Sequence, residues 1–171
     1  SAVVLKEGEQ AESSIKEEVA QFAGCFSKAW ENGQASVDVF AARRSQVSKS
    51  SNEGYIATGS FLIKGDREWF RNVELKLYAV LGNPEAEISS KALNTNAVLN
   101  LLPSKVIVNA SGLQIVPALT YQRMRNVGKA VLIKPGSIKK SDAAKEISKR
   151  LGFEDIDYIM QHLPPGGFSI V

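Results

Sequence analysis

Apolar residues recur at Ile15, Val19, Phe22, Phe26 and Trp30, in steps of four, three, four and four. That spacing predicts one long amphipathic helix. Ser14-Ile15-Lys16-Glu17 reads as its capping box, and Asn32-Gly33 as its end. Ahead of it, Ala2-Val3-Val4-Leu5 reads as a short buried strand closed by a turn at Lys6-Glu7-Gly8-Glu9. After it the period falls to two. Ser36 to Ala41 alternates, Gly59 to Lys64 reads as a second strand, and Asn72 to Val80 reads as one long strand with Val73, Leu75, Leu77 and Ala79 on a single face. The link between these last two, Gly65 to Arg71, is charged and aromatic.

The pattern loosens after Pro84. Ala92 to Leu102 has the spacing of a short helix, and Lys105 to Val108 and Gln114 to Val116 read as short strands around the Ser111-Gly112 turn. Tyr121 to Lys129 reads as a basic connector, and Ala130 to Lys134 as a buried strand ended by Pro135-Gly136. A helix capped by Ser141 runs to Leu151 with Ala144, Ile147 and Leu151 inward, and Gly152 stops it. A last short helix spans Asp155 to Leu163, before Pro164-Pro165-Gly166-Gly167. The fold class predicted is α+β: a mixed, mainly antiparallel sheet, a long amphipathic helix packed on it, and a small C-terminal helical and strand unit.

Length and composition fit this picture. A chain of 171 residues with 44% hydrophobic and 23% charged residues holds one domain, or one domain with a small appended unit. No apolar run approaches the length of a membrane span, and the first residues do not read as a signal peptide. The opening at Ser1 on a core-strand pattern leads us to expect a piece of a longer chain.

Charge changes the picture more. The net charge is only +3, but residues 121–150 hold nine basic residues against two acidic ones. Such a block suits an anionic partner, nucleic acid above all, or else forms a solvated helix face. Catalytic chemistry is not apparent. His162 is the single histidine and Cys25 the single cysteine, so no disulfide, cysteine cage or histidine triad has its parts. Cys25 and Trp30 read as core residues. The pairs Glu17/Glu18 and Asp155/Asp157 read as helix charges. Binding without a cofactor or metal is the function class that remains.

Gln46-Val47-Ser48-Lys49, followed by Tyr55-Ile56-Ala57-Thr58-Gly59-Ser60-Phe61-Leu62-Ile63-Lys64-Gly65, resembles the NFACT-R domain of the NEMF/RqcH family, which includes the fibronectin-binding-protein-like bacterial members. Cys25 to Trp30 is similar to the end of that family's preceding helix. Ile133-Lys134-Pro135-Gly136, Lys139-Lys140-Ser141 and Leu163 to Gly166 are similar to archaeal members. The loop departs from the family pattern in having Ser51-Asn52-Glu53-Gly54 where the family carries a proline and one more residue. The resemblance divides the chain into residues 1–82, the second half of an NFACT-R-like domain; 83–130, an unassigned connection; and 131–171, a C-terminal extension. Gln46, Ser48, Lys49, Gly59, Ser60, Phe61 and Gly65 carry over residue by residue.

The resemblance implies a non-catalytic RNA-binding module of a cytoplasmic, ribosome-associated translation quality-control factor. Its implied partners are large-subunit rRNA or tRNA, together with a missing N-terminal part of its own parent protein. From the residues themselves, Arg43, Arg44 and Lys49, with Lys64, Arg67 and Arg71, can form a phosphate-binding edge. Trp69 and Phe70 can stack on an unpaired base, or pack as core or strand-end residues. The candidate nucleic-acid set is Arg43, Arg44, Gln46, Ser48, Lys49, Lys64, Arg67, Trp69 and Arg71, with Arg123, Arg125, Lys139 and Lys140 from the basic block. Ser48 and Asn52 can equally hold a structural turn. The alternative reading is a protein-interaction module whose N-terminal strand completes a sheet with a partner chain or a second copy.

Overall fold

The structure, a computed structural model, describes residues 2–49, 60–82, 112–124 and 127–171. The predicted Ala92–Leu102 helix and Lys105–Val108 strand, and residue Gly59, lie outside the described residues. Helix α1 (Ser13–Cys25) and the single-turn α2 (Lys28–Glu31) take the place of one continuous helix. Ser27 causes the break. Its hydroxyl donates to Gly24 O at 2.7 Å and accepts from Ala29 N at 3.2 Å, so it caps a new turn instead of continuing the old one. At the other end, α1 starts one residue before Ser14, with Glu12 in the N-cap position and no side-chain cap. Ser14 therefore lies inside the first turn and the predicted capping box does not form.

Two further expectations fail nearby. Ala2 to Leu5 forms no strand, and Val4 is 79% exposed. Glu7 adopts a left-handed turn (φ 56°) and Leu5 folds back beside Gly8. The long strand over Asn72 to Val80 is really two. Strand β4 (Glu68–Glu74) absorbs the predicted charged link and pairs antiparallel with β1 (Ser36–Ala41), whereas β5 (Leu77–Gly82) belongs to another sheet. The chain crosses between them at Leu75-Lys76. Leu75 N bonds Ala35 O at 2.9 Å and Ala118 N bonds Lys76 O at 3.1 Å. Alternation runs unbroken through the crossing, with Leu75, Leu77 and Ala79 all buried, so the pattern carries no mark of the change of sheet.

The larger sheet is antiparallel throughout, in the order β6 (Leu113–Pro117), β5, β7 (Val127–Ile138), β8 (Phe168–Ile170). The predicted basic connector is instead helix α3 (Ala118–Arg123) followed by the start of β7. Pro135-Gly136 does not end β7. Pairing with β5 stops at Ile133, so the missing Pro135 N–H interrupts no bond on that side. Pairing with β8 continues across a bulge to Ile138. Gly136 is required there, since a Cβ would lie 2.6 Å from the Phe168 carbonyl. Helix α4 (Lys140–Leu151) has Lys139 rather than Ser141 at its N-cap position, with no side-chain cap, and ends at Gly152 (φ 71°). Helix α5 (Ile156–His162) is capped by Asp155, whose carboxylate accepts from Tyr158 N at 2.9 Å.

The core lies between one face of the four-stranded sheet and these helices. Leu77, Ala79, Leu113, Ile115, Val131, Ile133 and Phe168 meet Cys25, Trp30, Ala144, Ile147, Leu151 and Ile159. Each fully buried aliphatic of this set contributes roughly 1.5–3 kcal/mol. Trp30 is fully enclosed, with its indole N–H donating to Gly167 O at 3.1 Å. Helix α1 also covers the inner face of the β1–β4 ribbon. Gly24 permits this, because a Cβ there would sit 3.0 Å from Val37 and 3.2 Å from Leu75.

Candidate nucleic-acid interface

Beyond α1 the β1–β4 ribbon runs outward as an arm. Its register pairs Ala41 with Glu68, and the following strands β2 (Val47–Ser48) and β3 (Leu62–Ile63) pair Val47 with Ile63 and Ser48 with Leu62. Between the two ladders sits a joint made by Gln46. Its Oε1 accepts from Arg43 N at 2.8 Å, and its Nε2 donates to Lys64 O at 3.0 Å and to Asp66 O at 2.6 Å. Lys64 N closes the joint on Gln46 O at 2.9 Å. Gly65 turns the chain here with φ 82°, and a Cβ at that position would crowd Gln46 Nε2 at 3.1 Å. Gln46 and Gly65 thus form one unit that holds both strands of the arm in register.

Alternation places Val39 and Phe70 on the α1 side and Phe40 and Trp69, paired across the strands, on the outer side. Phe40 and Trp69 lie 5.2 Å apart, Arg67 stands 4.7 Å over the Phe40 ring, and Arg71 stands 4.3 Å over the Trp69 ring. Phe70 therefore faces inward and Phe40 supplies the second outer ring. Only the cross-strand register brings Phe40 opposite Trp69, which is why the sequence did not single it out. A bulge near Asp38 shapes this face. The Asp38 carboxylate accepts from Asn72 N at 2.8 Å and pairs with Arg71 Nη1 at 2.7 Å, while Asn72 adopts φ 53°. The Asn72 N–H, and then Arg71, hold the Asp38 carboxyl below its ordinary value.

The other cations of the arm are open to solvent. Among the described residues no carboxylate pairs with Arg44, Lys49, Lys64 or Arg67, and Arg43 meets Glu9 only at 3.9 Å with both side chains largely exposed. Lys49 stands 5.8 Å over the half-exposed Phe61 ring. Ser48 lies within β2.

Two members of the basic block, Arg123 and Lys140, are engaged within the fold. Arg123 turns inward, its Nε 2.7 Å from Oε1 of the buried Glu18, close enough for an ion pair though not aligned as a hydrogen bond. Thr120 donates to the other Glu18 oxygen at 3.1 Å. Beside them buried Gln21 bridges Glu74 O at 3.0 Å and Leu119 N at 2.8 Å, tying α1 to both β4 and α3. Glu18, Gln21 and Thr120 gave no sequence signal, because polar residues on an amphipathic pattern read as surface. Lys140 donates to Leu163 O at 2.8 Å, and burial pushes its amine below its ordinary value. Lys139 is exposed at the start of α4. Arg125 lies outside the described residues. His162 stacks on Tyr158 at 4.1 Å with Nδ1 2.7 Å from Tyr158 O. Cys25 is enclosed, and burial raises its thiol to about 12. Among the described residues no group of three or more His, Cys, Asp or Glu could hold a metal ion, and no helix is long and apolar enough to cross a membrane.

Comparison with known proteins bears on the same region. The family described as the NFACT protein RNA binding domain matches residues 1–65, a span that includes β1 to β3 and the Gln46–Gly65 joint. The chain is 31% identical to the archaeal Rqc2 homolog aRqcH of Methanocaldococcus jannaschii over 173 aligned positions, covering 99% of this chain. It spans 22% of the length of that curated relative. No solved structure matches.

Proposed function

We propose that this chain carries an NFACT RNA-binding domain of the archaeal RqcH family, and that the two-stranded arm is the surface through which it holds RNA. The observation that carries this is the concentration on one arm of Arg44, Lys49, Lys64 and Arg67, which have no carboxylate partners among the described residues, next to outward-facing rings. Cations that make no internal ion pairs break none when they approach phosphate, and they release counterions from it. The rest of the chain is support. The four-stranded sheet and α1 anchor the arm base, and Gln46 with Gly65 sets its direction.

In this reading the module is a non-catalytic part of a ribosome quality-control factor working in the cytoplasm, and its RNA is rRNA of the large subunit or tRNA. Residues 1–82 supply the second half of the NFACT-R-like domain, 83–130 a connecting region that contributes β6, α3 and the start of β7, and 131–171 an extension that adds the rest of β7 and β8 to the supporting sheet. Arg43, Arg44, Lys49, Lys64, Arg67, Trp69 and Arg71 make the contacts, with Ser48 beside them and Gln46 as their positioning residue. Lys139 offers a separate cation, whereas Arg123 and Lys140 serve the fold. Fluorescence anisotropy of labelled tRNA and of rRNA fragments, titrated with the chain across a salt series, tests the proposal. Affinity should fall with salt at a log–log slope of about −3 if the four unpartnered cations each meet one phosphate. Absence of any salt-dependent binding would refute it.

A further inference from the structure

On the outer face of the β1–β4 ribbon four planar groups follow one another: the Arg67 guanidinium, the Phe40 ring, the Trp69 indole and the Arg71 guanidinium. Their separations are 4.7, 5.2 and 4.3 Å. Phosphate binding does not require this order. A phosphate is held by N–H groups pointing at its oxygens, and a cation reaching freely into solvent does that at least as well. Here both guanidinium groups are drawn over ring faces. Arg71 is further engaged by Asp38, which offsets its charge and leaves Arg67 as the ladder's cation with no carboxylate partner among the described residues. Yet Trp69, flanked on two sides, is still 44% exposed, and Phe61 beside Lys49 further along the arm is 50% exposed. Large rings kept open on a basic surface point to a partner with flat apolar faces as well as phosphates. Unpaired bases have such faces. In an A-form duplex they are hidden in the stack and only backbone and groove edges remain.

We propose that the Arg67–Phe40–Trp69–Arg71 ladder is a stacking platform for an unpaired base, so that the arm selects single-stranded RNA over duplex. The inference rests on the RNA-binding reading above and adds to it the kind of RNA. Trp69 takes the base, and Arg67 faces the adjoining phosphate. Asp38 is the positioning residue that keeps Arg71 over the indole.

Intrinsic tryptophan fluorescence tests this directly, because Trp30 is fully buried and Trp69 is not. The chain is titrated with an unstructured single-stranded RNA oligonucleotide and with the same strand annealed to its complement. The single strand should bind more tightly and quench the tryptophan signal. W69F should abolish the quench and keep most of the affinity. W69A should weaken single-strand binding by roughly five- to hundredfold with an unchanged salt slope, since it removes stacking and no phosphate contact. Circular dichroism of both variants checks that the fold is intact. Equal affinity for duplex and single strand, or W69A binding as wild type while salt-dependent binding persists, would overturn the inference and leave the arm a phosphate clamp. Loss of salt-dependent binding to every RNA would instead sink the RNA-binding reading, and the platform with it.

Discussion

Replacing Gln46 by alanine should loosen the arm and leave the rest of the molecule in place. The substitution deletes three side-chain hydrogen bonds, to Arg43 N, Lys64 O and Asp66 O. At about 0.5–1.5 kcal/mol net each they would sum to roughly 1.5–4.5 kcal/mol. All three are solvent-facing, so water takes over part of the loss, and roughly 1–2 kcal/mol of local stability should disappear. Native-state amide exchange is the suitable assay, because the joint lies outside the main core and should open independently of it. Exchange at Arg43 and Lys64 should accelerate by roughly 5- to 30-fold. Amides of β5 and β7, such as Ala79 and Ile133, should not change. RNA affinity should fall by no more than the fraction of molecules whose arm has opened, with an unaltered salt slope, since no charge is removed. Unchanged exchange at Arg43 and Lys64, or acceleration spread evenly through β5 and β7, would refute the claim that Gln46 is a local joint.

Other outcomes follow from the same geometry. R123Q should destabilise the fold by about 1–3 kcal/mol in urea titration, because it leaves the buried Glu18 oxygen without its cation, while RNA affinity stays near wild type; a large loss of affinity with normal stability would contradict the inward placement. Asp38 should titrate below its ordinary value of 3.8 by NMR, and in R71Q its midpoint should rise only part of the way, since the Asn72 N–H is the larger cause and remains. Because that folded-state value is depressed, the stabilisation is present above 3.8 and is lost as pH falls below it. Cys25 should resist iodoacetamide in the native chain at pH 8 and react on unfolding. With its thiol raised from 9.0 to about 12, stability should decline as pH climbs through that window, where only the unfolded thiol ionises. Rapid native labelling would contradict its burial.

Where the pattern read well, one physical signal dominated. The 3.6-residue stripe marked α1, alternation marked β1, and Gly152 marked the end of α4 because only its left-handed cap requires that residue there. The failures share a cause in tertiary context. Ala2 to Leu5 looks like a strand until it is asked what it pairs with, and Ser27 splits a clean stripe through a hydrogen bond that periodicity cannot register. Leu75-Lys76 changes sheets without disturbing alternation. In the candidate interface, the cations and Trp69 were visible as residue types, but the outer ring opposite Trp69 depended on register. Arg123 and Lys140 looked like surface charge, and each is held instead by a partner far away in sequence, Glu18 and Leu163 O.

On the proposal above, RNA is held by the arm and not by the exposed basic face of α4. Two variants of the chain separate these surfaces in one salt-series binding measurement: R44Q/K49Q/K64Q/R67Q on the arm, and K145Q/K149Q/R150Q on the exposed side of α4. The arm variant should lose about three units of log–log salt slope with most of its affinity, at roughly 0.7 per phosphate contact on a single strand, and the α4 variant should bind as wild type. An arm variant with the wild-type slope, or loss of binding in the α4 variant alone, would contradict it.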